Sequence, residues 1–547
     1  MSYRAMLRTL LVITLLAVVI TACVPKPTVW TDTKSDRWSD DAVFYEIFVR
    51  SFYDSDGDGI GDFNGLTEKL DYLNDGDPET TDDLGVTALW LMPIFPSPSY
   101  HGYDVTDYYA VNPQYGTMED FKNLLAEAHK RGIYVTIDFV VNHTSDQHPW
   151  FQAAAAGDPQ YEDYYIWSDT NPGYNGPWGQ GVWHNLGGRF YYGVFVREMP
   201  DLNFKNPAVT EEIKSVAEFW LNEVGVDGFR VDGAKHLIEQ GTAQENTPET
   251  HAWFKDFSEF YRGIKPEAAV VGEIWSPSED AAAYVNNGEL DLVFNFPLAD
   301  EMLGAATFND ARRLSNSLLN QDRVYTSGRY AAFLTNHDQT RAMTKMVGDT
   351  RRAKSAATML LTAPGTPFIY YGEEIGMTGD KPDANLRTPM QWSGGENAGF
   401  SSGTPWMNPS GDYMLRNVET MDADPDSLLS HYRRLIRVRS DHHALRTGDY
   451  VQVMASDNKI FASLRVAETV DGAVDEAVLV LVNLSKDPVS GATLKWSESA
   501  LRGTYRPQVL LGEGKPASLT VGESGGIEGF AVLEEIPAET SLIIQYR

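Results

Sequence analysis

Four carboxylates stand where strand-like runs of the chain stop: Asp138, Asp232, Glu273 and Asp338. An isolated Asp in such a place reads first as a helix cap or a turn former. Four of them, beside Asn, His and Arg, read as a site. Two carboxyl groups about 5–5.5 Å apart can cleave a glycosidic bond with retention. One attacks the anomeric carbon; the other protonates the leaving oxygen and then activates water. Arg230 lies two residues before Asp232. In a strand the two side chains therefore point the same way, and the fixed positive charge would favour an ionised Asp232.

Such groups need a scaffold that gathers strand ends at one mouth. Short apolar, β-branched and aromatic runs recur at 43–52, 86–93, 133–141, 228–232, 269–274, 292–296, 330–335 and 367–372. Amphipathic helical patterns, such as 118–131 and 209–224, fill many gaps. Eight strands alternating with helices predict an α/β fold, a (β/α)8 TIM barrel over 38–446, with its chemistry at the C-terminal strand ends. Residues 143–205, rich in Gly, Trp, Tyr and Asp, are too long for a simple crossover and predict a subdomain inserted after strand 3. A second insertion spans 376–414. From 447 to 547 alternating strands such as 477–482 and 541–546, without helices, predict a C-terminal antiparallel β-sandwich.

The motifs at the strand ends carry a family resemblance. Asp-Phe-Val-Val-Asn-His at 138–143, Gly-Phe-Arg-Val-Asp at 228–232, Val-Gly-Glu-Ile-Trp at 271–275 and Phe-Leu-Thr-Asn-His-Asp at 333–338 resemble, in order, four signature regions of the α-amylase family of glycoside hydrolases, family 13. The resemblance implies Asp232 as nucleophile, Glu273 as general acid/base with a raised pKa, and Asp338 as the group that holds sugar hydroxyls. It implies that His143 and His337 hydrogen-bond the same ring. His-Gly-Tyr-Asp at 101–104 resembles the family segment whose Tyr stacks on the cleaved glucose, which assigns Tyr103 to stacking and Asp104 to its support; Gly102 suggests an exposed turn.

Finer features point within the family. Met-Pro-Asp-Leu-Asn at 199–203 resembles the group intermediate between oligo-1,6-glucosidases and neopullulanases, which includes bacterial lipoprotein α-amylases. Gly233 stands where α-1,6-specific relatives tend to carry Val. Lys235 and His236 resemble a pair that contacts leaving-side sugars. Tyr100 replaces an acidic cap found in exo-acting relatives. Together these imply endo cleavage of α-1,4-glucosidic bonds in starch and maltooligosaccharides. The extra N-terminal domain usual in neopullulanases has no room before residue 38. A neopullulanase- or cyclomaltodextrinase-like activity, or an exo-α-glucosidase or glucanotransferase, is the alternative. A sugar-binding protein without activity is a further rival on this fold, and the presence of all three carboxylates counts against it. Trp496, a single aromatic in the C-terminal module, reads as core rather than as a glucan platform.

Asp54, Asp56, Asp58 and Asp62 alternate with Gly and Ser in a dense loop. Alternating carboxylates in such a loop can wrap Ca²⁺, which takes six to eight oxygens. The segment begins like an EF-hand but lacks the Glu at its twelfth position. Family members carry a structural Ca²⁺ here, through Asp54, Asp56, Asp58, the Ile60 carbonyl and Asp62. α-Amylases hold a second ion at positions matching Asn142, Asp201 and the His236 carbonyl, which Lys replaces in some relatives. Neither ion is needed for the chemistry.

Acidic residues number 77 against 44 Lys and Arg, for a net charge of −33. That excludes nucleic acid as a natural partner, since phosphate binding needs a basic surface. It also disfavours adsorption to anionic lipid. Residues 1–23 combine Arg4 and Arg8 with 14 mostly apolar residues and end in Ile-Thr-Ala-Cys. The stretch is short for a membrane span and suits a signal peptide. The ending resembles the bacterial lipobox, so Cys23, the single cysteine, is the expected lipidation site. Residues 24–37 read as a tether, and membrane contact is expected through the lipid anchor alone.

Overall fold

The computed structural model describes residues 37–326, 328–470 and 472–547. Cys23 and the signal-like stretch lie outside the described residues. Among those residues no helix is long and apolar enough to cross a membrane.

Eight short parallel strands form the central sheet: β1 (Phe44–Ile47), β2 (Ala88–Leu91), β3 (Tyr134–Phe139), β4 (Gly228–Val231), β5 (Ala269–Gly272), β6 (Leu292–Val293), β7 (Ala331–Phe333) and β8 (Thr366–Tyr370). They run in the order β7-β8-β1-β2-β3-β4-β5-β6. A parallel bridge between Phe294 and Ala331 links the two ends, which makes the sheet a TIM barrel. The strands are shorter than the apolar runs that predict them, because ladder pairing stops where the chain turns out into the mouth. The run 330–335, for example, contributes Ala331–Phe333.

Alternation along each strand sorts the side chains. Phe44, Ala88, Trp90, Val271, Leu292, Phe294, Ala331, Phe333 and Phe368 form one buried cluster on the inner face. Tyr45, Ile47, Leu89, Leu91, Val135, Ile137, Phe229 and Val231 belong to the larger core on the outer face. The inner register ends in polar groups at the C-terminal mouth: Glu46 two residues after Phe44, Asp138, Arg230, and Glu273 two after Val271.

Helices cover the barrel with ordinary terminal chemistry. Met118–Lys130 begins with a capping box between Thr117 and Asp120. Pro207–Glu218 starts with Pro in its first turn and runs into a π turn, Phe219–Val224, that ends on Gly225 at φ 98°. Between β3 and β4 the insertion holds the helix Pro149–Ala155 and a three-stranded antiparallel sheet ordered Trp167–Ser168, Arg189–Tyr192, Trp183–Leu186. Bridges His143–Asp201 and Tyr165–Leu202 tie its ends together.

After the helix Leu428–Asp441 the chain becomes antiparallel β. Its largest sheet runs Asp449–Gln452, Ile460–Glu468, Val474–Asn483, Ser541–Tyr546, Pro507–Leu511. Alternation again divides the faces: Val478, Val480 and Val482 join the barrel core, whereas Leu479 and Leu481 join a second cluster with Leu494, Trp496 and Leu542. Trp496 is buried and donates to the Gly525 carbonyl at 3.0 Å, so it is core.

Candidate active site

Register places Asp138 directly opposite Arg230 on neighbouring strands β3 and β4. Arg230 is buried, and its Nη1 lies 2.9 and 3.0 Å from the two oxygens of Asp138 and 2.7 Å from Asp232 Oδ1. Its Nη2 lies 3.0 Å from Glu273 Oε2. One guanidinium thus ties together carboxylates from β3, β4 and β5. Glu273 Oε2 also accepts the backbone N–H of Gly233 at 3.0 Å.

Burial disfavours charge on all three acids, and the guanidinium opposes it. For Asp138 burial prevails and its carboxyl rises to about 7. Burial likewise pushes Asp232 and Glu273 above their ordinary values, against the pull of Arg230. For Glu273 the direction is the one expected. For Asp232 the expected ion pair forms and lowers the carboxyl, but desolvation outweighs it.

Asp338 behaves oppositely. Burial would raise it, yet His337 and Arg387 hold it below the usual carboxylate range. His337 Nε2 lies 3.1 Å from Asp338 Oδ2, and Arg387 Nη2 donates to Asp338 Oδ1 at 2.8 Å. On its other side His337 Nδ1 donates to Glu46 Oε1 at 2.6 Å. Burial alone would lower the imidazole, but the two carboxylates lift it to about 9, so it is charged at neutral pH.

Tyr103 closes the network. Its hydroxyl accepts from His337 Nε2 at 2.7 Å and donates to Asp138 Oδ2 at 3.0 Å. Its ring lies nearly parallel to that of His337, centroids 5.5 Å apart. Gly102 does make a turn, at φ 84°, but Tyr103 is 8% exposed and not on an open turn, because its hydroxyl is drawn into the carboxylate network. Asp104 supports this loop by accepting from Ser97 Oγ at 2.6 Å and from Ser99 Oγ.

Both histidines lie in the site and make contacts within the protein, and His143 Nδ1 is buried without a hydrogen-bond partner. His143 is buried, burial lowers it to about 4, and its Nε2 donates to the Tyr103 carbonyl at 3.1 Å. Both ring nitrogens of His337 are engaged by protein. They position Tyr103 and Asp338. Lys235 Nζ donates to the Trp275 carbonyl at 2.9 Å and pairs with Glu245 at 2.8 Å. His236 Nδ1 donates to the Gln244 carbonyl at 2.9 Å. Glu46, Trp90 and Arg387 are site residues that the motifs do not reveal. Trp90 donates to Asp138 Oδ2 at 3.3 Å, and the Arg230 guanidinium lies 5.0 Å from its ring. A charged residue in the otherwise apolar run Phe-Tyr-Glu-Ile was the one available signal for Glu46.

Asp54, Asp56 and Asp58 each bring a carboxylate oxygen within 4.8 Å of the others. Buried Asp54 accepts from the N–H groups of Gly57 and Gly59, both at 2.8 Å, which shapes the loop. A side chain at Gly59 would meet the Thr404 carbonyl at 2.0 Å. These hard oxygen donors suit Ca²⁺. Asp62 stands apart from the trio: it caps the helix Phe63–Glu68, accepting from Gly65 N at 2.7 Å and from Ser55 N at 2.8 Å. The Ile60 N–H donates to Asp58 Oδ1 at 2.8 Å. Elsewhere, Asn142 Oδ1 and Nδ2 and Asp201 Oδ2 are buried without hydrogen-bond partners. Burial drives the Asp201 carboxyl well above its ordinary value. Orphaned buried oxygens of this kind fit a cation.

A closed parallel barrel whose C-terminal mouth carries paired carboxylates on one arginine is the architecture of a barrel hydrolase. Residues 46–448 match the family described as "Alpha amylase, catalytic domain". The chain is 41% identical over 459 residues to Alpha-amylase 3 of Dictyoglomus thermophilum, covering 83% of this chain and 86% of the relative. It is 34% identical over 531 residues to an oligo-1,6-glucosidase of Parageobacillus thermoglucosidasius, covering 83% and 91%. The solved α-amylase of H. orenii superposes with a TM-score of 0.80 at 40% identity, covering 92% of this chain and 99% of that one. The protein belongs to the α-amylase family and is a glycoside hydrolase.

Proposed function

We propose that the protein hydrolyses internal α-1,4-glucosidic bonds of starch-like glucans with retention of configuration. The observation that carries the reading is the grip of one guanidinium on Asp232 and Glu273, with the Gly233 N–H fixing the latter. Asp232 attacks the anomeric carbon while protonated Glu273 gives its proton to the leaving oxygen. Glu273 then takes a proton from water as the water oxygen displaces Asp232. Asp338, kept ionised by His337 and Arg387, holds sugar hydroxyls in the distorted, positively charged state. Endo action is supported by Tyr100, which stacks on Trp406 at 5.4 Å where exo-acting relatives place an acid.

Ca²⁺ is proposed as a structural ion at two places. Asp54, Asp56, Asp58 and the Ile60 carbonyl would hold one, with Asp62 shaping the loop. Asn142, Asp201 and the His236 carbonyl would hold the other. The ions stiffen loops and take no part in bond cleavage. We also propose that Cys23 is lipidated and anchors the enzyme outside the cytoplasm. Incorporation of labelled palmitate into the full chain, and its loss in Cys23→Ala, is the expected result.

The functional reading is tested with maltoheptaose blocked at its non-reducing end, alongside isomaltose, with an Asp232→Asn variant as control. Release of α-anomeric maltooligosaccharides from the blocked substrate, absent in the variant, is expected. Cleavage confined to isomaltose or unblocked short sugars would replace the endo reading with an exo-glucosidase.

A further inference from the structure

The inserted domain carries Trp178 on a tight turn. The Gly179 N–H donates to the Gly176 carbonyl at 3.0 Å, and the Trp178 N–H donates to Gln180 Oε1 at 2.9 Å. Gln180 Nε2 in turn donates to the Val194 carbonyl at 2.8 Å. The turn is therefore fastened to the bend that follows the strand Arg189–Tyr192, beside Phe195. Trp178 is nevertheless 58% exposed, a large apolar ring left facing water.

Its neighbours trace a path to the acid. The Trp178 ring lies 5.3 Å from His236 and 5.7 Å from Phe195. Phe195 sits against Gly233, where an added Cβ would be 2.8 Å from its Cζ. The Gly233 N–H holds Glu273. A line of rings thus runs from the proton donor for the leaving group outward to solvent. A glucose unit presents an apolar face of C–H groups, and an open indole is suited to it.

We propose that Trp178 is a sugar-stacking platform on the leaving-group side, which binds a glucose unit beyond the cleaved bond. The inference rests on the reading that Asp232 and Glu273 cleave α-glucans. Sugars on this side are not covalently held after the first step, so their residence depends on such contacts. An acceptor sugar resting there competes with water: its hydroxyl gives its proton to Glu273, its oxygen bonds to the anomeric carbon, and the ester to Asp232 breaks. Trp178 would then set both the preferred chain length and the share of transfer over hydrolysis.

The test compares the unaltered protein, Trp178→Ala and Trp178→Phe on maltoheptaose and on 4-nitrophenyl α-maltoside, whose scissile bond leads to no sugar. Transfer to added maltotriose is measured in parallel. Expected is an about tenfold fall in kcat/KM on maltoheptaose for Trp178→Ala, equal to ~1.4 kcal/mol. The fall on the nitrophenyl substrate should be under about threefold, transfer products should decline, and Trp178→Phe should recover most of both. Equal losses on the two substrates would mark a structural effect and overturn the proposal, as would unchanged length preference and transfer in Trp178→Ala. Failure of the unaltered protein to cleave either substrate would remove the amylase reading and this inference with it.

Discussion

Arg387 braces both Asp338 and the backbone before it: Nη2 donates to Asp338 Oδ1 at 2.8 Å, and Nε donates to the His337 carbonyl at 3.1 Å. The arginine comes from the insertion after β8, the carboxylate from the turn after β7. Arg387 is buried, while the Asp338 side chain is 32% exposed, so water screens part of the attraction. Arg387→Ala is expected to lower kcat/KM on maltoheptaose by about 10- to 100-fold, a transition-state loss of ~1.4–2.8 kcal/mol. Arg387→Lys should recover only part, because a point charge cannot repeat the two-pronged contact. Steady-state kinetics decide it; an alanine variant as active as the parent would show that His337 alone suffices.

Glu373 and His337 give the fold a pH dependence. Burial pushes the Glu373 carboxyl up to about 8; its Oε1 accepts from Tyr432 at 2.9 Å and its Oε2 has no partner. His337 is lifted to about 9 by Asp338 and Glu46 despite its burial. Both groups bind protons more tightly folded than unfolded, where the ordinary values are about 4.3 and about 6.5. Their stabilisation is complete below those values and is lost as pH rises through about 8 and about 9. The melting temperature should therefore fall from neutral toward alkaline pH. Glu373→Gln should flatten the part of that decline below about pH 8. Circular-dichroism melts across this range test it, and an equally steep decline in the variant would refute the assignment.

These residues also show how far the sequence could be read. Asp138, Arg230, Asp232 and Glu273 were legible because each stands at or near the C-terminal end of a run whose alternate members face the barrel axis. Glu46 was not, since its partner His337 lies 291 positions away and nothing local couples them. Arg387 sits in an insertion with no period to mark a face. Asp62 belongs to the same acidic loop, four residues after Asp58, but the N–H of Gly65 turns it into a helix cap, a choice made by the chain that follows it. His143 and His337 were legible as site residues, whereas their partners, a backbone carbonyl and a buried carboxylate, appear only on folding.

The acidic loop should make stability depend on Ca²⁺. Asp54, Asp56 and Asp58 crowd three carboxylates together, and their mutual repulsion is what a bound cation would offset. An ion present at about 100 times its dissociation constant adds ~2.7 kcal/mol. Removing it with a chelator should lower the melting temperature by roughly 2–3 °C for a chain of this size, and restoring Ca²⁺ should reverse the change. Asp54→Asn combined with Asp58→Asn should remove most of the response to added Ca²⁺. A calorimetric scan unaffected by chelator would rule out both proposed ions.

Gly233 joins the backbone to catalysis. It adopts φ 51°, a left-handed conformation costing a β-branched residue roughly 1–2 kcal/mol. A Cβ there would lie 2.8 Å from Phe195 Cζ, and the same residue's N–H holds Glu273 Oε2. Gly233→Val should therefore strain the turn, displace Phe195 and loosen the acid. We expect kcat on maltoheptaose to fall at least tenfold, ~1.4 kcal/mol of barrier, with KM changing less because the fault lies at the proton donor. The alkaline limb of the pH profile should also move, since Glu273 loses a donor that favours its ionised form. Phe195→Ala in the same background removes the clash but not the backbone strain, so it should restore only part of kcat. Full restoration would place the whole effect in the steric contact; no restoration would place it in the turn that presents the N–H to Glu273.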